Sequence, residues 1–254
     1  MDKEKVIEVS NLAASFGDTV VLSDVSFSAY KGEVTIILGS SGSGKSTVLK
    51  HLLGLYPVLK GRVKVLGRDI SRLTEKEQLE LYMQMGVFYQ NGALLNSMTV
   101  GENVALPLKQ HTTLPDSLVE DIVNMKLGLV NLGHAKNLFP SELSGGMLKR
   151  AALARAIALD APVLFFDEPG AGLDPISLES LDQLIVNLKE QLGMSIIMVT
   201  HEVSSILRIA NRVVYLDKGN VAFEGTLKEA LQCNVESVRQ FFSLIDDVDK
   251  VKQA

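Results

Sequence analysis

The sequence predicts an α/β fold: a parallel sheet wrapped by helices, opening on antiparallel strands and interrupted by a helical insertion. Three observations carry that expectation. The apolar runs at 34–38, 163–166, 195–199 and 213–216 are short, unalternating and rich in β-branched or aromatic residues, as in strands covered on both faces. Helical patterns over 177–192 and 203–209 separate the later runs, which is α/β alternation. From Gln90 to Asp160 the pattern changes to helices and loops.

Taken in order, the first third reads as strands at 6–9 and 20–29, with Gly17-Asp18 between strand-like segments as a hairpin turn. The run 34–38 leads into a Gly/Ser loop and a helical pattern over 45–53. A strand at 62–66 and a charged helix over 75–85 follow. Inside the insertion, 116–129 and 147–159 have helical spacing. Near the end, Val235, Val238, Phe241, Phe242 and Ile245 fall on one face of a helix over 235–248. That face either closes its own domain or packs across a dimer or onto a partner.

Composition narrows the function. The chain has 254 residues, 46% hydrophobic and 22% charged, which supplies a sizeable core and excludes wholesale disorder. A net charge of −5 argues against a nucleic-acid binder that relies on a basic surface, so no nucleic-acid partner is expected. The single cysteine, Cys233, leaves no intramolecular disulfide and fits a reducing cytosol. The opening MDKEKVIEVS lacks the apolar core of a signal peptide. No apolar run approaches the roughly 18 to 20 residues a membrane span needs. A mean hydropathy of +0.20 is high for a free-standing soluble protein and fits either docking on an apolar surface or deeply buried strands.

The strongest local signal is Gly39-Ser40-Ser41-Gly42-Ser43-Gly44-Lys45-Ser46-Thr47, a full G-x-x-x-x-G-K-[ST] match between an apolar strand and a helix. Glycines let backbone N–H groups turn inward around phosphates, and the helix N-terminus adds its positive end. In that cradle Lys45 would reach the β and γ phosphates of a nucleoside triphosphate, Ser46 would ligate Mg²⁺, and Thr47 would donate to the α phosphate. A dinucleotide fingerprint fails, because its third glycine would fall on Thr47. A second signal is the strand 163–166 ending in Asp167 and Glu168. At such a strand end one carboxylate, Asp167, would hold Mg²⁺, and the other, Glu168, would orient or deprotonate the attacking water. His201 follows the strand 195–199 and suits a donor to the γ phosphate, whereas His51, His111 and His134 read as surface or packing residues.

A third segment, Leu143-Ser144-Gly145-Gly146, opens a helix. On local chemistry it is equally an anion site or an ordinary serine N-cap with glycines easing the turn. The order of the segments decides: the phosphate loop, then LSGG, then Asp167-Glu168, then His201. That order resembles the ATP-binding-cassette (ABC) ATPases across essentially the whole chain. The resemblance implies a P-loop NTPase (RecA-like) core with an N-terminal antiparallel β subdomain and an inserted α-helical subdomain. It also implies a head-to-tail homodimer, in which Ser144, Gly145, Gly146 and Asp174 of one subunit complete the ATP site of the other. By the same resemblance Gln90 senses Mg²⁺ and water, and Phe16 stacks on adenine in place of the usual Tyr. Met147 stands where Gln is common, and Gly172 where a small polar residue is usual. Expected bounds are 1–235 for the nucleotide-binding domain, with the helical insertion at 91–160, and 236–254 for a helical tail.

Finer features are Phe88-Tyr89-Gln90-Asn91-Gly92-Ala93-Leu94-Leu95, Asn103-Val104-Ala105-Leu106-Pro107-Leu108 and the run from Pro140 through Met147 to Leu159. They resemble the phospholipid-transport (Mla, maintenance of lipid asymmetry) branch of the family. That branch implies an MlaE-like integral membrane permease, an MlaD-like MCE-type lipid-binding protein and an MlaB-like STAS-domain protein, at the cytoplasmic side of a bacterial inner membrane. Ala93, Leu94, Leu95 and Met98 then serve as a surface for the permease, the alternative being ordinary core. Competing readings are an ATPase of another transporter (amino acid, metal or lipoprotein release) and a soluble ABC ATPase of DNA repair. The second lacks its expected coiled-coil insertion here.

Overall fold

The structure, a computed structural model, describes residues 3–243. The chain divides into two compact units, one of Met1–Thr74 with Ile197–Ala254 and one of Glu75–Ile196.

The first unit begins with strands β1 (Lys5–Phe16) and β2 (Thr19–Tyr30), paired antiparallel with Phe16 opposite Thr19. Gly17 and Asp18 alone connect them, and Gly17 takes φ +57°. Strand β1 runs well past the expected residue 9. Asn11, at φ +50°, sits in a register shift between Val9 and Leu12, and this bulge resets the alternation that made the second half look unstructured. Ile7, Val9 and Leu12 pack inward with Leu22, Val25 and Phe27. Strand β3 (Val34–Gly39) is buried throughout and leads through the Gly/Ser loop into α1 (Lys45–Leu52). Strands β4 (Lys60–Val65) and β5 (Arg68–Asp69) extend the antiparallel side.

The second unit starts with α2 (Glu75–Tyr82) and β6 (Met85–Phe88). Met85 is therefore strand, not the end of a helix, because its backbone pairs with Val163 of a parallel neighbour. Next come α3 (Val100–His111), α4 (Asp116–Leu129), α5 (Gly145–Ala156), β7 (Val163–Asp167) and α6 (Pro175–Leu192). The sequence pattern hid α3 because Pro107 lies inside it. Its start outweighs that proline: Thr99 accepts from the Glu102 N–H while Glu102 accepts from the Thr99 N–H, a complete capping box. Strands β6 and β7 run parallel, and Gly86 lies close against the end of α5. A Cβ there would sit 2.3 Å from the Ala156 carbonyl oxygen.

Strand β8 (Ser195–Val199) carries the chain out of the second unit, followed by α7 (Val203–Ile209), β9 (Arg212–Asp217), β10 (Asn220–Thr226) and α8 (Leu227–Gln232). Within the first unit the strand order is β5-β4-β1-β2-β10-β9-β3. Strands β3 and β9 are parallel, while β9 and β10 are antiparallel, so the parallel and antiparallel regions meet in one sheet. Residues 236–243 are helical, with Val238 buried and Phe242 nearly so. Ile245 and the rest of the expected tail lie outside the described residues.

Candidate functional site

In the first unit, strand β3 ends at Gly39, whose φ of +145° and surroundings admit no side chain. A Cβ would stand 2.0 Å from the Leu216 carbonyl oxygen. Gly44 is equally constrained, at φ +100° with Leu22 Cδ2 2.4 Å from where a Cβ would be. Between them Gly42, at φ +75°, faces open space. These glycines close a tight loop, 40–44, over the start of α1. Gly44 is the N-cap of that helix and, lacking a side chain, makes no side-chain hydrogen bond to its first turn. Lys45 is half-buried, and its Nζ donates to the carbonyl oxygens of Gly39 and Ser40, both at 2.9 Å. Ser40, Ser41 and Ser46 are exposed, Thr47 is half-buried and Ser43 is buried.

Phe16, at the end of β1, is 48% exposed and meets Tyr56 edge-on, ring centres 5.2 Å apart. The two rings, with Val20, His51, Leu59 and Lys60, line a cavity of about 500 Å³. His51 is a packing residue there, as expected, but it is buried rather than on the surface: its Nδ1 lies 2.7 Å from the Thr47 carbonyl oxygen. Tyr56 escaped the sequence reading because nothing local to it marks a partner forty residues away. His201 follows β8 and Thr200, its side chain 63% exposed and its Nε2 3.9 Å from Glu202 Oε1.

In the second unit the register of β6 on β7 sets Phe88 opposite Phe166, so the residues after each strand emerge at the same end. Gln90 lies just beyond β6, Asp167 closes β7 and Glu168 follows it. The Phe88 and Phe166 rings stack at 5.3 Å beneath them. Glu168 has φ +46°, a left-handed conformation rare for a residue with a side chain and a common mark of functional turns. The third segment sits at the start of α5. Ser144 is the N-cap, its Oγ accepting from the Met147 N–H at 3.3 Å. Ser144 and Gly145 are exposed, and no neighbour crowds the Gly145 Cα. Asp174 caps α6, its Oδ1 accepting from the N–H groups of Ile176 and Ser177 at 3.0 Å. The Ser177 hydroxyl and these N–H groups hold the Asp174 carboxyl below its ordinary pKa. Gly172 takes φ +79°, which accounts for glycine at that position better than a small polar residue would.

The donor set suits a nucleoside triphosphate: an ammonium resting on loop carbonyls, the N-terminus of α1 and exposed hydroxyls. Among the described residues no group of three or more His, Cys, Asp or Glu is placed to hold a metal alone. Mg²⁺ does not require one, since it keeps several waters and takes a carboxylate or two together with phosphate oxygens. An exposed hydroxyl such as that of Ser46 is chemically suited to such a phosphate-borne ion. Among the described residues no helix is long and apolar enough to cross a membrane. Ala93 and Leu95 are exposed, with Leu94 and Met98 half-buried, so this stretch is not ordinary core.

Comparison with known proteins agrees with this architecture. The family described as "ABC transporter" matches residues 22–171. The intermembrane phospholipid transport system ATP-binding protein MlaF of Haemophilus influenzae is 43% identical over 94% of this chain and 90% of its own length. The Escherichia coli K12 protein of that name is 37% identical over 95% and 90%. A probable ribonucleotide transport ATP-binding protein, mkl, of Mycobacterium tuberculosis is 40% identical over 93% of this chain, which spans 66% of it. Among solved structures, cbiO1 of Clostridium perfringens, part of the ABC transporter complex cbiONQ, superposes with a TM-score of 0.85 at 26% identity over 99% of this chain and 100% of its own. The ATP-binding cassette MJ0796, in a dimeric post-hydrolysis state bound to ADP and Pi, gives 0.78 at 29% over 87% and 98%. With its P-loop α/β fold, the chain belongs to the ABC transporter family as an ATP-binding, ATP-hydrolysing cassette.

Proposed function

We propose that this cassette powers phospholipid transport between the inner and outer membranes of a bacterium, as a head-to-tail homodimer on the cytoplasmic side of the inner membrane. The observation that carries the substrate class is the 43% identity, along nearly the whole chain, to a relative named for intermembrane phospholipid transport. Its partners in this reading are an MlaE-like permease, an MlaD-like MCE-type protein and an MlaB-like STAS-domain protein. Ala93, Leu94, Leu95 and Met98 receive the permease. The domain bounds 1–235 and 236–254, with the insertion at 91–160, belong to the same proposal.

Each residue then has a role. Phe16 offers its ring face to adenine. Gly39 to Gly44 and the α1 N-terminus cradle the phosphates, Lys45 leaves its loop carbonyls for phosphate oxygens, and Ser46 and Thr47 add hydroxyls. Mg²⁺, when bound, neutralises the charge on the β and γ phosphates; Ser46, Asp167 and Gln90 hold it or its waters. Glu168 takes a proton from water as its oxygen bonds to the γ phosphorus and the bond to ADP breaks. His201 donates to the γ phosphate. The exposed start of α5, with Ser144, Gly145 and Gly146, serves the second subunit's nucleotide, as does Asp174. Two anion-binding segments in one chain make sense when each completes the other copy's site.

A second reading rests on the 40% identity to a relative named for ribonucleotide transport. One experiment separates them: purification of the tagged chain from detergent-solubilised membranes, identifying co-purifying subunits and lipids. An MCE-type protein and phospholipid are expected. A permease for amino acids, metals or nucleotides, without an MCE-type protein, would overturn the phospholipid reading and leave the family assignment intact.

A further inference from the structure

Helix α5 offers more than its N-terminus, because three attachments tie it to the segment that carries Gln90. The Lys149 ammonium donates to the main-chain oxygen of Gln90. Arg155, further along the same helix, donates to the carbonyl oxygens of Ala93 at 2.6 Å and Gly92 at 2.8 Å. Gly92 itself lies against the helix: a Cβ there would stand 2.9 Å from Leu148 Cδ2 and 3.2 Å from Ala152 Cβ.

Lys149 is the unusual member of this set. It is only 7% exposed, and its Nζ lies 5.6 Å from the centre of the Phe88 ring. That ring stacks on Phe166, the residue before Asp167. A buried ammonium is costly unless its donors are met, and here a carbonyl dipole and a ring face meet them. Burial pushes its pKa below the ordinary lysine value. Methionine would fill the same space without that desolvation cost, so packing alone does not account for a cation. What lysine adds is a directed donor that fixes the Gln90 carbonyl.

We propose that Lys149 is a positioning residue that clamps the main chain of Gln90 to α5, so that the glutamine moves with the helix whose start carries Ser144. The inference rests on the reading of Gln90 as the group that senses the metal and the attacking water. Engagement of the α5 N-terminus by a nucleotide would then be felt at Gln90 through one rigid body, with no loop in between to absorb the motion.

The test is steady-state ATPase of the full chain, with ATP and Mg²⁺ titrated separately. Lys149→Met is expected to lower kcat about tenfold, as small misplacements near chemistry do, and to raise the Mg²⁺ concentration for half-maximal rate. Its KM for ATP should stay within about twofold, since the phosphate loop is untouched. Lys149→Arg, which keeps a donor, should restore most of the rate. In a Gln90→Ala background Lys149→Met should add no further loss. Full-rate turnover in Lys149→Met overturns the proposal. So does a loss that merely follows the fraction of protein still binding ATP, or a multiplicative loss in the double variant with Gln90→Ala itself slow. Gln90→Ala at full rate would remove the reading of Gln90, and this proposal with it.

Discussion

Asn103 is the residue on which the segment 95–99 hangs. It is fully buried on the first turn of α3. Its Oδ1 accepts from the Leu95 N–H at 2.7 Å. Its Nδ2 donates to the carbonyl oxygens of Leu95, Met98 and Thr99 at 3.1, 3.2 and 2.9 Å. Asn103→Ala strands these groups in a part-buried setting. A buried polar group left unpaired costs about 1–3 kcal/mol, and water reaches some of these, so a total of about 2–4 kcal/mol is expected. At about 2–4 °C per kcal/mol for a chain of this size, the melting temperature should fall by roughly 4–16 °C. Asn103→Asp is nearly isosteric, yet at neutral pH it should fall further than alanine. Its carboxylate keeps the bond from the Leu95 N–H but faces three carbonyl oxygens. Burial and the facing carbonyl oxygens raise that carboxyl's pKa in the folded state and outweigh the single bond from the Leu95 N–H, so protonation favours folding and the gap from wild type should narrow as pH falls. Thermal unfolding by circular dichroism at pH 7.5 and pH 5 reads all of this. An alanine variant melting with wild type, or an aspartate variant above alanine at neutral pH, would refute the reasoning.

Three further outcomes are expected. Glu168→Gln should still bind ATP but turn it over at least about a hundredfold more slowly; equal rates for both proteins would sink Glu168 as the base. Lys126 is 1% exposed and pairs with Asp160, which is 61% exposed, so the two partners should respond unequally. Asp160→Asn leaves a buried ammonium without its counter-charge and should lower the melting temperature more than Lys126→Met, which removes the buried charge. Asparagine tolerates the φ of +52° at position 160, so backbone strain does not confuse the comparison; the reverse order would count against it. Asp174 titrates below its ordinary pKa because Ser177 and two N–H groups hold its charged form. A depressed carboxyl contributes stability above its unfolded pKa of about 3.9, and that contribution disappears as pH falls through the folded value. Asp174→Asn, which keeps an N-cap but not the charge, should fall slightly below wild type at pH 7 in denaturant titrations and lose less below pH 4. A parallel acid limb would refute this.

Much of the architecture was legible because its signals are short-range. The glycines at 39, 42 and 44 need their backbone conformations whatever surrounds them, and their spacing from Lys45 can be read directly. The buried runs that became β3, β7, β8 and β9 were legible for the same reason: a strand covered on both faces has no alternation to disguise it. The errors were equally physical. The second half of β1 lost its alternation at the Asn11 bulge. Pro107 masked α3, although Thr99 and Glu102 were there to be read as a capping box. Met85 continued a helical pattern, and only pairing with Val163 made it strand.

By itself the sequence determined the glycine loop before α1, the acidic end of β7, the serine at the start of α5 and, through their order, the family. Each depends on a few consecutive residues, so each survives without knowledge of the fold. Nothing in the sequence around Lys149 and Arg155 marks which groups they meet. Only the tertiary structure decided that their partners are backbone carbonyls some sixty residues earlier in the chain. What a charged side chain does depends on which distant segment removes water from it, and spacing along the chain carries no record of that.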